Sequence, residues 1–105
     1  MPYGSWINEF PTEFFLVVHI AAFTLGAGFA WLALKRQLSL LGTAFSLFAA
    51  AELVYMTYHL DWTVFLFAHT IAEVLDLAAF VLVFAAAVYS TVRRPALNAL
   101  EANRR

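Results

Sequence analysis

Six ionisable side chains stand inside otherwise apolar sequence: His19, Glu52, His59, His69, Glu73 and Asp76. The densest stretch is YHLDWTVFLFAHTIAEVLD, residues 58–76, which holds two histidines, two aspartates and a glutamate. Spacing groups them further. His69, Glu73 and Asp76 recur at i, i+4 and i+7, which stacks them on one stripe of a helix. Glu52, Tyr55 or Met56, and His59 form a comparable stripe.

Three chemistries suit such residues. Two imidazoles at equal depth on different helices are what a bis-histidine haem needs, and His19 with His69 is the pair that meets this condition. Imidazole with carboxylate also suits a non-haem iron, copper or zinc ion, with His19, Glu52, His59, His69 and Glu73 as the candidate ligands. The residues do not fix a cofactor; haem b and a non-haem transition metal are the two such a set could hold. The third chemistry is proton transfer, since intramembrane Asp, Glu and His are common relay members. Glu52, Glu73 and Asp76 would form that path, joined by the hydroxyls of Tyr55, Thr57, Tyr58 and Thr70. With no cysteine in the chain, disulfides, thiolate-bound zinc and iron–sulfur clusters are excluded.

The elements that must position these groups follow from hydropathy. The chain of 105 residues is 64% hydrophobic and 12% charged, against about a quarter charged in soluble domains. Runs at 14–34, 38–51 and 77–92 are nearly free of charge, and each approaches the roughly 20 residues that cross a bilayer core about 30 Å thick. The fold class is accordingly all-α: an integral membrane three-helix up-down-up bundle with helices at 12–36, 37–60 and 62–94. Thr12 is the expected first N-cap, behind Pro11, and Pro95 is expected to stop the third helix. Residues 1–11 form an outer interfacial segment, 12–94 the transmembrane domain, and 95–105 a basic cytoplasmic tail. The segment before the first run is acidic rather than basic, so that run is expected to be retained rather than cleaved as a signal.

All six basic residues fall at 35, 36, 93, 94, 104 and 105, on one side of an up-down-up bundle. The other side carries Glu9, Glu13 and Asp61. The positive-inside rule then places the N-terminus outside and the C-terminus in the cytoplasm. Trp6 and Trp62 would anchor the outer boundary, Trp31 and Tyr89 the inner one. On the first helix His19 shares a face with Ala22, Gly26, Ala30 and Ala33. On the third, Ala72, Asp76, Ala79, Val83 and Ala86 repeat the pattern. Small residues permit close helix approach in lipid, so the polar groups are expected to face a helix interface.

Energy argues against chance placement. A carboxylate near the bilayer centre costs about 2.5–3.5 kcal/mol on the gentlest scale, and three of them need a proton, a hydrogen bond, a metal or a cation. No Lys or Arg of this chain lies at that depth. The sequence therefore predicts a small subunit of a larger membrane complex, of redox or electron-transfer type, with a metal- or haem-capable cluster in its outer half. Its partners would be membrane lipid and other transmembrane helices, supplied by further subunits or by self-association, with no nucleic acid. A bacterial or archaeal plasma membrane is the expected location. No nucleophile–base pair or nucleotide loop suggests an enzyme acting alone, though the chain would suit a subunit of a membrane oxidoreductase. The alternatives are a purely structural assembly subunit without cofactor, and a small proton-coupled or metal-ion transport protein. Against the latter, three helices without inverted repeats are few for alternating access.

Overall fold

The computed structural model describes residues 3–104. Arg105 of the basic tail and residues 1 and 2 of the leading segment lie outside them. The fold is all-α. A short 3-10 turn at Ser5–Glu9 precedes three helices, α1 (Thr12–Lys35), α2 (Ser39–His59) and α3 (Phe65–Arg104). All three are long and apolar enough to cross a membrane, which is compatible with an integral membrane protein.

The chain is 67 Å long but only 27 by 21 Å in cross-section. That shape follows from the order of contacts. α2 packs on α1 and on α3, and the backbones of the outer two helices do not come close to each other among the described residues. The three helices thus form a row with α2 in the middle. Pairs along the first interface run Phe15 with His59, His19 with Glu52, and Phe29 with Phe45. Numbers rise along α1 as they fall along α2.

Both connections end a helix in the same way. Gln37 (φ 63°) follows α1 and Asp61 (φ 62°) follows α2, each in the left-handed region. After α1, Leu38 N–H donates to Ala33 O at 2.8 Å and Gln37 N–H to Leu34 O at 3.0 Å. After α2, Trp62 N–H donates to Thr57 O at 2.9 Å and Asp61 N–H to Tyr58 O at 3.0 Å. These paired bonds satisfy the last carbonyls and reverse the chain at once. They also explain why α2 starts at Ser39 and stops at His59, inside the expected 37–60. At the second turn, the Thr57 and Thr63 hydroxyls share a 2.9 Å hydrogen bond, and α3 begins at Phe65 rather than 62.

Two expectations need correction. Thr12 is not the N-cap: Pro11 holds that position in extended geometry (φ −69°, ψ 155°), with no side-chain cap. Nor does Pro95 end the third helix, which continues through it to Arg104. Proline forfeits one ladder bond and crowds the carbonyl four residues back, at a cost of about 3 kcal/mol. Its ring nevertheless fixes a helical φ and suits the first turn of a helix. The following Ala96, Leu97, Ala99, Leu100, Glu101 and Ala102 are all strong helix formers, so the ladder resumes at once. At about 1.5 Å per residue, a 40-residue helix is about twice as long as a bilayer core is thick.

Packing is inverted relative to a soluble domain. The buried residues are Gly26, Ala30 and Ala33 on α1, then Gly42, Ala44, Ala49, Ala51 and Glu52 on α2, and Ala68, Ala72 and Ala79 on α3. No large side chain is fully buried among the described residues, while Phe80 is 73% and Leu66 71% exposed. Small residues inside and large apolar ones outside are what helices packing in lipid require.

The glycines test this directly. A Cβ on Gly42 would overlap the Leu34 side chain and stand 3.3 Å from its backbone nitrogen. A Cβ on Gly28 would meet nothing within 4 Å. Gly42→Ala should therefore destabilise the helix pair by about 1–3 kcal/mol, whereas Gly28→Ala, which meets no clash, should stabilise by about 0.5–1 kcal/mol through helix propensity. Thermal unfolding in detergent micelles, read by circular dichroism, would check the contrast; equal effects would show that α1 and α2 are not held this closely.

Candidate functional site

The polar residues lie toward the end of the bundle that carries Trp6 and Trp62, opposite the basic end. His19 enters from α1, where Gly26 and Ala30 further along the same face let α2 come close. It meets Glu52, the one buried charged residue among those described, 9% exposed. His19 Nδ1 and Glu52 Oε2 are 2.5 Å apart, with side chains 17% and 12% exposed. At this separation the imidazole and the carboxyl are in direct hydrogen-bond contact.

Rings close the site from above. His19 stacks on Tyr55 (5.3 Å between centroids, 15° between planes) and stands 5.2 Å from His59. His59 lies between Phe15, parallel to it at 5.0 Å, and Tyr58, also at 5.0 Å. Phe15 belongs to a run of edge and tilted contacts through Phe14 and Phe10 to Trp6. An aromatic collar thus lies beside the imidazoles at this end of the bundle.

Tyr55 carries the site across to the third helix. Its hydroxyl donates to Glu73 Oε1 at 3.1 Å while its ring faces His19. One side chain of α2 therefore touches polar groups of both neighbours. Asp76, three residues beyond Glu73, holds a buried Oδ1 with no hydrogen-bond partner among the described residues. Together His19, Glu52, Tyr55, His59, Glu73 and Asp76 make a polar layer through all three helices.

The structure treats the sequence-predicted residues unequally. His19, Glu52 and His59 come together at the first interface. Glu73 joins them through Tyr55. His69 does not: it is exposed on α3 and stacks on Phe65 of its own helix at 5.2 Å. His19 and His69 sit on helices that pack on α2 rather than on each other. Nor does any group of three His, Asp or Glu side chains converge to hold a metal ion among the described residues. Of the hydroxyls, Thr57 is taken up by Val54 O and Thr63, and Thr70 is exposed.

Sequence reasoning gave no role to Phe15, because a phenylalanine in an apolar run carries no signal of its own. Its position four residues before His19 was the available hint, since i and i+4 share a helix face. Family models, curated proteins and solved structures give no match to this chain.

The His19–Glu52 contact can be weighed by a double-mutant cycle with His19→Ala and Glu52→Ala. Polar contacts between membrane helices measure about 0.6 kcal/mol on average and at most about 1.7. The short, partly buried geometry places this pair near the upper end, so a coupling of about 1–1.7 kcal/mol is expected. Additive single-mutant effects would show that the two groups do not interact. Tyr55→Phe, which loses the weaker 3.1 Å bond, should cost about 0.5 kcal/mol.

Proposed function

We propose that this chain is a small subunit of a larger membrane complex, of the redox or electron-transfer class, and that its polar layer handles protons for that complex. The observation that carries the reading is the His19–Glu52 hydrogen bond at 2.5 Å inside an apolar interface. Intramembrane histidines and carboxylic acids are common members of proton relays, and here the two are in direct contact. Tyr55 and Glu73 offer a second donor–acceptor pair in the same layer, with Asp76 beneath. His59 and the aromatic collar stand at the mouth, where the layer would exchange protons with water.

The topology proposed with it is an up-down-up bundle, N-terminus outside and C-terminus in the cytoplasm, in a bacterial or archaeal plasma membrane. Its support is the segregation of Lys35, Arg36, Arg93, Arg94 and Arg104 to one end and of Glu9, Glu13 and Asp61 to the other. The polar layer then lies in the outer half. Partner helices follow from the shape of the row. Glu73 and His69 are exposed on α3, and ionisable groups at membrane depth face protein or a water-filled cavity rather than lipid. The partner is another subunit or a second copy. Haem or a resident metal stays open beside this reading: Glu52 contacts only Nδ1 of His19, which leaves Nε2 for a ligand.

Infrared difference spectroscopy on the native complex, stepped in pH, tests this. The expected result is a carboxyl band that appears and disappears with pH, is lost in Glu52→Gln and is displaced in His19→Ala. A complex whose carboxyl bands do not respond to either substitution would overturn the proton-handling role and leave a structural subunit. An optical spectrum of the same sample before and after dithionite decides the cofactor: a Soret band that shifts on reduction would put haem in the site.

A further inference from the structure

At the opposite end of the molecule, a cavity of about 680 Å³ opens between the α1–α2 turn and the last membrane-length turns of α3. Pockets of about 300–1,000 Å³ are those that take small molecules. Its walls divide by chemistry. Leu38, Leu41, Ala86 and Leu97 are apolar, while Arg93 and Arg94 bring two guanidinium groups and no lining residue is acidic. Arg93 is held in place: its Nη1 donates to Tyr89 Oη at 3.0 Å, and the guanidinium lies 5.6 Å from the centre of that ring.

A second feature of the same cavity points to an anion. Ser39, Leu40 and Leu41 line it, and they are the first three residues of α2, whose N–H groups have no carbonyl partner within the helix. The cap residue Leu38 supplies no side-chain bond to them. Free N–H groups at a helix start favour a phosphate, and here they share a cavity with two arginines. The apolar walls would be wasted on a free ion but suit acyl chains. The cavity also lies at the basic end of the spans, at the level of lipid headgroups.

We infer that this cavity binds the headgroup phosphate of an anionic glycerophospholipid, with Arg93 and Arg94 and the start of α2 on the phosphate and Leu38, Leu41 and Leu97 against the chains. The site is independent of the proton-handling role and rests only on the helices spanning a membrane. It also gives the continuation of α3 past Pro95 a purpose. Were the helix to stop at Arg94, Leu97 would not complete the wall.

Native mass spectrometry of the detergent-extracted protein tests this, with phosphatidylglycerol or phosphatidylcholine added in turn. The expected result is preferential retention of phosphatidylglycerol, reduced about thirtyfold in the double variant Arg93→Gln, Arg94→Gln, since each basic residue near an anionic lipid surface contributes about 1 kcal/mol. The control is Lys35→Gln, Arg36→Gln, which removes the same charge from the same end but outside the cavity lining; it should keep the preference. Equal loss in both double variants would mean diffuse attraction to any nearby charge and would overturn the site. Equal retention of the two lipids by the unaltered protein would do the same. If inorganic phosphate alone displaces the lipid at equal concentration, the cavity is a free-phosphate site and the lipid assignment fails. Circular dichroism of each variant confirms that it is folded, and release from membranes by detergent but not by high salt checks the spanning reading separately.

Discussion

Helices surrounded by lipid gain little from hiding apolar surface, because the tails are as apolar as leucine, and they associate through close packing and polar contacts instead. In this protein close packing comes from glycine and alanine. Gly26 and Gly42 admit the side chains of Phe48 and Leu34 into the first interface, and Ala51, Ala68 and Ala72 are almost wholly buried. Because only α2 carries partners on two sides, the row has one central helix, and what α2 presents decides what the outer helices can touch.

That constraint makes the polar layer possible. Glu52 lies on the face of α2 where small residues have drawn α1 close, which is why a histidine on α1 can reach it at hydrogen-bond distance. Without His19, the buried Glu52 carboxyl would lose this hydrogen bond, a cost in an apolar interface. The other edge of α2 works differently. Tyr55 is long enough to span from the His19 ring to Glu73, so two interfaces are coupled through a single side chain. The layer is continuous on α2 and open on α3, where Glu73 and His69 remain exposed.

The basic end follows a different logic. Trp31 lies under Lys35, with Nζ 4.8 Å from the ring centre, and Tyr89 under Arg93. In both cases a cation four residues after an aromatic folds back over it, which steers the charge along the helix surface rather than straight outward. On α3 this sets Arg93 at the mouth of a cavity whose other wall is the start of α2. The continuation of α3 through Pro95 then adds Leu97 to the lining.

Composition and hydropathy by themselves determined that the chain is all-α, with three helices of membrane-crossing length, since apolar runs without charge leave the backbone no other way to satisfy its hydrogen bonds in lipid. The spacing of small residues around His19 likewise marked the α1 face that packs. What spacing left open was which helices are neighbours: equal depth put His19 and His69 in one layer, but depth along an axis says nothing about what stands between two axes. Only the tertiary structure placed α2 there, directed His19 to Glu52 and left His69 beside Phe65. It also decided the fate of Pro95, whose local penalty was visible in the sequence while the helix-forming strength of the segment after it was enough to carry α3 onward. The interior of each helix was written in its own residues, and the pairing between helices was decided by packing, which no single run of sequence contains.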